Sequence, residues 1–468
     1  MSAILFVHVP RITGGRREIM VMPQGIIPLA GIADNHGVPA RIMHTGLGGL
    51  DHDKALLAHT ASLGPSVILF TLHWHQQASA TIRAISLFAS RFPGTPIIAG
   101  GLTASFFAHE LLALAPGLAA VVRGDGEAAV ATITQQVKAG RQISFERVPN
   151  AVWRDARGGV RDNGISFALD ARRAARLEHA RFDLLTHPRE YLGARLYADF
   201  YDPPGGVSPH SYGPAFFYNP GRGCTFDCPF CGGSRSSQAT NCGRKGYFFY
   251  GLKKIVRDLA AARRWGLTTW RVSFDPGRRR TEWPAIFRAV AHAGNRWRIV
   301  FDAWTPPTPA MIDAMAGTAL AGSVLVLSPE TGNETLRVTL KGASHTDARY
   351  EESIASARRR GLGVHVFVSA GLPRETKRDV GRTEALVRHL RTRYGVEVTA
   401  CPMELDPGSP MFLRPERHSV RLLRRSFEDF MGPKHAVGYE TSVFGEDEIL
   451  ANVRFLQETA SSTSHRMQ

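Results

Sequence analysis

No apolar run in this 468-residue chain is long enough to span a bilayer. The stretch from Met1 to Val9, cut short by Pro10 and Arg11, reads as too short to be a signal peptide. Cysteine is scarce. Five in all, three of them in one loop, argue against a disulfide framework and for a reducing compartment, the cytoplasm. Internal repeats, an aromatic-interleaved basic strip and any recognisable nucleic-acid module are also lacking. The net charge of +16 includes stretches such as Arg278-Arg279-Arg280 and Arg358-Arg359-Arg360, which could face nucleic acid, an acidic redox partner or an anionic substrate. Spread over the whole chain, they read as solvated faces, and neither nucleic acid nor membrane is expected as a partner. Hydrophobic content of 44% with 21% charged residues is that of an ordinary globular chain, long enough for two or three domains.

What is present is alternation. Ala3–Val9, Pro39–His44, Ser66–Leu72, Pro96–Ala99 and Ala119–Val122 read as strands, with helices over Gln24–His36, Ala78–Phe92 and Ser105–Leu114. Near-continuous apolar strands alternating with helices predict a doubly wound parallel sheet over residues 1–144. Ligands of such sheets bind beyond the carboxyl ends of the strands. Those ends carry Thr71-Leu-His-Trp-His75, Gly100-Gly-Leu-Thr103 and Arg123-Gly-Asp-Gly-Glu127, and the glycine turns admit a large flat ligand close to the backbone. Residues 145–213, with Gly158-Gly159 and Pro203-Pro204-Gly205-Gly206, read as a connector. Six further strands follow within 214–405: Ala215–Tyr218, Thr269–Phe274, Arg298–Phe301, Ser323–Leu327, Val364–Val368 and Glu397–Ala400. They predict an open, partial (β/α)6 barrel with its chemistry at the strands' carboxyl ends. Residues 406–468 read as a small helical region, with helices at Ser419–Met431 and Glu446–Thr459 and a polar tail from Ser461.

The loop after the first barrel strand is Asn219-Pro-Gly-Arg-Gly-Cys-Thr-Phe-Asp-Cys-Pro-Phe-Cys-Gly-Gly-Ser234. Its Cys224, Cys228 and Cys231 form a Cys-x3-Cys-x2-Cys triplet able to hold three irons of a [4Fe-4S] cubane and leave the fourth open. Zinc would want four ligands in paired spacing, and no second cysteine or histidine pair lies nearby. Cys242 and Cys401 have no partner spacing and read as inert buried thiols.

This loop resembles that of the radical S-adenosylmethionine (SAM) superfamily. With Pro96-Ile-Ile-Ala-Gly-Gly-Leu-Thr-Ala104, Val121-Val-Arg-Gly-Asp-Gly-Glu127 and Gly371-Leu-Pro-Arg-Glu-Thr376, the chain resembles the cobalamin-dependent radical SAM family, Arg374 standing where that family has glycine. The resemblance implies a Rossmann-like cobalamin-binding domain joined to a radical SAM core. It implies three cofactors, cobalamin, a [4Fe-4S] cluster and SAM, and a flavodoxin- or ferredoxin-type electron donor. Thr71, His73, Trp74, His75, Gly100, Gly101, Thr103, Arg123, Gly124 and Gly126 are the implied cobalamin contacts. Phe230, Asp275 and Glu330 are the implied SAM contacts, although Ser273-Phe-Asp275-Pro276 departs from the family's Gly-Gly-Glu. The Asp-x-His-x-x-Gly motif that puts histidine on cobalt in methionine-synthase-like proteins is absent. Imidazole from the His73-Trp74-His75 loop could ligate cobalt, whereas an indole there would exclude water.

The activity so implied is transfer of a SAM-derived methyl group, by way of methylcobalamin, to an unactivated carbon or phosphorus of a small metabolite in a biosynthetic pathway. A non-methylating cobalamin radical SAM reaction, cyclisation or rearrangement, is the alternative. An RNA-modifying enzyme gains from the positive charge but loses for want of a small RNA-binding barrel and a second cysteine triplet. A non-catalytic cobalamin sensor would have no use for an open cluster. No residue is singled out as an acid, base or nucleophile.

Overall fold

The computed structural model describes residues 3–13, 16–17, 21–50, 52–194, 214–277, 282–342, 346–432 and 436–461. Two parallel sheets organise them. The first holds β1 (Ala3–His8), β2 (Ala40–His44), β3 (Pro65–Thr71), β4 (Ile97–Gly100), β5 (Ala120–Val122), β6 (Ala151–Arg154) and β7 (Val160–Asp162), in the order β2-β1-β3-β4-β5-β6-β7. The five parallel strands are those the alternation predicts. Their apolar runs are continuous because both faces are covered. Ile4 and Phe6 pack with Ile26, Ala30 and Ile133 on one face, and Leu5 and Val7 pack with Leu56, Ile85 and Leu111 on the other. The chain leaves β1 towards β2 on one side and reaches β3 on the other, which opens a crevice at the carboxyl ends of β1 and β3.

Strands β6 and β7 lie in the span read as a connector. They extend the first sheet in antiparallel fashion, Val121 opposite Val152 and Trp153 opposite Arg161. Glycines 158 and 159 make the turn of this hairpin rather than punctuating a linker. The predicted helix over Ser105–Leu114 is divided into Leu102–Phe106 and Ala108–Leu114. Helices Asp53–Leu63 and Glu127–Lys138 complete the two layers.

The second sheet holds β8 (Ala215–Phe217), β9 (Thr269–Val272), β10 (Arg298–Ala303), β11 (Val324–Glu330), β12 (Gly363–Ala370) and β13 (Glu397–Pro402), in that order and all parallel. This is the six-stranded partial barrel of the sequence reading. The carboxyl-terminal region departs from that reading. In place of a helix over Ser419–Met431 it has a strand, Val420–Leu422, paired antiparallel with Tyr439–Thr441, and a single 3-10 turn at Glu428–Phe430. The cause is local. Val420 and Leu422 are buried while Arg421 is exposed, a period of two, and Ser419 adopts a left-handed φ of 55° that ends the preceding turn. The helix Glu446–Ser461 forms as expected.

Arg278–Arg280, the Pro203–Gly206 stretch and the tail beyond Ser461 lie outside the described residues. No helix among the described residues is long and apolar enough to cross a membrane.

Candidate active site

The carboxyl ends of the two sheets face one another across a cavity of 920 Å³. From the first sheet it is lined by Thr71, His73, Trp74, Gly100, Gly101, Gly124 and Gly126. From the second it is lined by Cys224, Cys228, Phe230, Cys231 and Glu330. Most of the residues singled out in the sequence therefore meet at one place, although they come from opposite halves of the chain.

On the first sheet's side the wall is almost bare backbone. Gly101 has φ 117°, and a Cβ built there would lie 2.5 Å from the Leu72 carbonyl oxygen and 2.9 Å from His73 Cα. Close passage of the β4 turn against the β3 loop thus requires glycine, and it leaves a flat surface of the kind a corrin ring needs. His73 and Trp74 stand on this surface with rings 4.8 Å apart, edge to face. Burial, aided by the charge of Arg222, pushes the His73 imidazole down to about 4, so it is neutral near pH 7 and its lone pair is free of a proton. At the crevice beneath, buried His8 approaches Thr71, Nδ1 to Oγ1 3.0 Å, and burial again holds that imidazole well below its ordinary value. Replacing Gly101 by Ala is expected to lower the cobalamin retained after reconstitution at least about tenfold, as read from absorbance. Gly94→Ala, whose Cβ would meet nothing, should leave retention unchanged. Equal retention by both variants would contradict this reading of the wall.

Three of the implied cobalamin contacts stand off the cavity. His75 is turned into the protein, its Nε2 3.5 Å from Glu404 Oε1 and 3.9 Å from Asp406 Oδ1, because the 3-10 turn that begins at this residue rotates it away from Trp74. Thr103 donates from Oγ1 to the His73 carbonyl (3.0 Å) and so shapes the loop from behind. Arg123 reaches outward to Asp162 at 2.5 Å.

On the opposite wall, the glycines flanking the cysteine loop are dictated by a hairpin. Gly221–Gly223 pairs antiparallel with Tyr247–Phe249, and at Gly223, with φ 98°, a Cβ would sit 2.2 Å from the Gly246 carbonyl oxygen. Backbone bonds fix the loop beyond it: Thr225 N–H to the Pro276 carbonyl (3.1 Å), Cys231 N–H to the Cys228 carbonyl (3.2 Å) and Gly232 N–H to Asp406 Oδ2 (3.0 Å). Burial raises the Cys224 thiol to about 12 and the Cys228 thiol to about 11, and pushes Cys231 up as well. Three thiols on one short loop, Cys224 buried and Cys228 and Cys231 half-buried, become thiolates when cationic iron replaces their protons, which is the chemistry of a cluster cradle. Cys242 and Cys401 are buried and outside any disulfide, and both line the cavity.

Glu330 is held by a β-bulge. Between Leu327 and Glu330 the register of β11 on β12 slips by one residue, and Glu330 takes φ 64°. Its Oε1 lies 2.8 Å from Lys341 Nζ, and its Oε2 accepts from Ser369 Oγ at 2.8 Å. Burial opposes the charge on Lys341, but Glu330, together with Tyr350 and Cys228, outweighs it and holds the ammonium above its ordinary range. Asp275 is fully buried behind the wall, where its Oδ2 accepts from the Trp304 N–H at 2.8 Å. It shapes the cavity through Trp304, which lines it.

The charged groups joining the two halves were not singled out from the sequence. Arg222, two residues before the first cysteine, donates to Asp125 Oδ1 (2.7 Å) and Glu127 Oε1 (2.6 Å) in the glycine turn after β5. Arg244 donates to the other Asp125 oxygen. Burial would raise the Asp125 carboxyl, yet Arg222 and Arg244 together hold it below the ordinary carboxylate range. A second bridge is reciprocal: Gln24 donates to the Asn219 carbonyl (2.7 Å), and the Asn219 N–H donates to Gln24 Oε1 (2.8 Å). Deeper in the barrel, Arg271 donates to Asp302 at 2.5 Å, and both line the cavity.

Comparison with known proteins agrees with this geometry. The Radical SAM superfamily model matches residues 218–387, and the B12 binding domain model matches residues 12–134. A curated relative, the Hopanoid C-3 methylase of Methylococcus capsulatus, is 30% identical over 199 residues, 42% of this chain and 32% of that protein. The match therefore spans about a third of the relative's length. Among solved structures, the radical S-adenosylmethionine methyltransferase TsrM from Kitasatospora setae, with cobalamin and a [4Fe-4S] cluster bound, superposes with a TM-score of 0.71 at 14% identity, covering 99% of this chain and 90% of that one. The cobalamin-dependent S-adenosylmethionine radical enzyme OxsB, with aqua-cobalamin and S-adenosylmethionine bound, gives 0.68 at 11% identity, covering 98% and 66%. At such identities the two structures establish the fold.

Proposed function

We propose that this chain, which belongs to the cobalamin-dependent radical SAM family, is a methyltransferase that moves a SAM-derived methyl group to an unactivated carbon or phosphorus of a small metabolite. The observation that carries this reading is the single cavity that both sheets line, with the glycine wall on one side and the three cysteines on the other. A methyl carrier and a radical generator are useful together only when both open on one substrate. The names of the similar proteins support the same activity: one is a methylase, another a methyltransferase, and a further structure of TsrM holds a tryptophan substrate. The work is assigned to the cytoplasm and to a biosynthetic pathway.

The residues present fit the family's cofactors. In this reading residues 1–144 receive cobalamin on Gly100, Gly101, Gly124, Gly126, His73, Trp74 and Thr71. Residues 214–405 hold the cluster on Cys224, Cys228 and Cys231, and SAM lies against Phe230 and Glu330. When bound, these groups supply methyl carriage and one-electron chemistry; the protein's part is position and exclusion of water. Glu330, locked between Lys341 and Ser369, offers a carboxylate of fixed orientation for an amino or hydroxyl group. Phe274, Trp304, Phe367 and Met403 give the barrel side an apolar lining, and the Arg271–Asp302 pair is a polar feature there beside Glu330 and Lys341.

The test is isotopic. Reconstituted protein given SAM with a deuterated methyl group, a one-electron donor and candidate small metabolites is expected to yield a product carrying the deuterated methyl. Turnover to a product without label would transfer the reading to a cyclisation or rearrangement.

A further inference from the structure

Two polar atoms at the joint between the halves lack a partner, and both belong to residues that line the cavity. The first is the Tyr250 hydroxyl. Tyr250 follows the hairpin strand Tyr247–Phe249, and its N–H donates to the Pro220 carbonyl at 2.8 Å. Its ring is clamped by the His179 imidazole, 5.2 Å away between centroids, and by Lys254, whose Nζ lies 5.1 Å over it. So fixed, Tyr250 is 2% exposed, and its hydroxyl has no hydrogen-bond partner among the described residues. Arg222 stands beside the phenol, but a guanidinium can only donate, so the hydroxyl proton has no acceptor.

The second is Glu127 Oε2. Glu127 is buried at the start of the helix Glu127–Lys138, directly after Gly126 of the glycine wall. Its Oε1 accepts from Arg222 at 2.6 Å, while Oε2 accepts from nothing among the described residues. Burial raises the Tyr250 phenol, Arg222 opposes the rise and Glu127 adds to it, so carboxylate and phenol are close neighbours around one guanidinium. A buried donor and a buried acceptor left open are costly, and a ligand that meets both removes the cost. A primary carboxamide does so, its C=O accepting and its N–H donating. A hydroxyl could also meet both, but this site borders the wall at Gly124 and Gly126, and a corrin lying there carries carboxamides around its rim.

We propose that Tyr250 and Glu127 together bind one rim carboxamide of the corrin, Tyr250 donating to its oxygen and Glu127 Oε2 accepting from its nitrogen. The two halves of the chain thus each supply one member of a site that tells a corrin amide from a corrin acid. The proposal rests on the reading that the glycine wall receives cobalamin.

The experiment measures the dissociation constant of hydroxocobalamin for full-length protein carrying its cluster, followed by absorbance. Tyr250→Phe keeps the ring and removes the donor, and should weaken binding at least about tenfold. Glu127→Gln keeps an oxygen for Arg222 and presents an N–H where Oε2 stood, and should weaken it by a like factor. Tyr218→Phe is the control. Its hydroxyl donates to Asp258 at 3.0 Å, off the cavity lining, so that variant loses stability yet should hold cobalamin within about twofold. A further arm uses the separated corrinoids in which one rim carboxamide has been hydrolysed to carboxylate. Wild type should bind one of them at least about tenfold more weakly than hydroxocobalamin, since that carboxylate faces Glu127, and Glu127→Gln should prefer the same one over hydroxocobalamin. Unchanged cobalamin affinity in Tyr250→Phe and Glu127→Gln would overturn the proposal, as would an equal loss in Tyr218→Phe. A loss confined to SAM affinity would overturn it too, giving the site to a ribose hydroxyl. Wild type that binds no cobalamin would sink the reading of the glycine wall, and the proposal with it.

Discussion

Replacing Cys224, Cys228 and Cys231 together by Ala is expected to abolish the cluster absorbance and, with it, reductive cleavage of SAM. All three thiols are raised by burial, and each needs a cationic partner to exist as thiolate in its place. A cubane held at three corners loses all its protein ligands in this variant, and no group of three His, Cys, Asp or Glu side chains among the described residues gathers as a metal site. The fold of the loop should survive the change. It is fastened by the Thr225–Pro276, Gly232–Asp406 and Met411–Pro229 bonds, none of which uses a sulfur. The triple variant should therefore still bind cobalamin in its first domain. Iron and sulfide contents like those of wild type in that variant would overturn the cluster assignment.

The second large effect concerns the joint between the halves. Arg222→Met would leave Glu127 without its arginine and Asp125 with Arg244 and the Leu169 N–H, both carboxylates being only 7% exposed. Removing one member of a buried, hydrogen-bonded ion pair costs about 3–5 kcal/mol, chiefly through the charge left behind. The expected result is a lower denaturation midpoint and loss of product formation, with cluster and cobalamin each still bound in its own half. Arg222→Lys keeps the charge but not the two-pronged reach to both carboxylates, and should fall between wild type and Met. A methionine variant with unchanged stability and turnover would show that the pair does not set the domains' alignment.

The legible and illegible parts of this protein divide along physical lines. Strands β1 to β5 and β8 to β13 are legible because most are short apolar runs with much of both faces covered, a property written locally. The cysteine triplet and the glycine turns were readable because a cluster and a close backbone approach each demand a fixed residue type at fixed spacing. The Arg222–Asp125 and Arg222–Glu127 bonds were not, since they join residues 97 and 95 positions apart and no local pattern links the two ends. Lys341 was silent for a similar reason, being on a helix after β11 with its partner Glu330 on the bulge before it. His75 and Asp275 were misplaced because sequence gives a residue's neighbourhood but not the direction of its side chain at a turn. The period-two pattern of Val420-Arg421-Leu422 was short enough to be read as part of a helix, and its partner strand, Tyr439–Thr441, lies well downstream.

The central claim is that the two cofactor sites open on one cavity, and it can be tested on the resting protein without knowing the substrate. Protein reconstituted with both groups, then reduced so that cob(II)alamin and the paramagnetic cluster coexist, should show electron–electron dipolar coupling in its magnetic resonance spectrum. That coupling should weaken or broaden in Arg222→Met as the halves lose their alignment. Two independent, unsplit signals in the wild-type protein, with both groups present in full amount, would contradict the account.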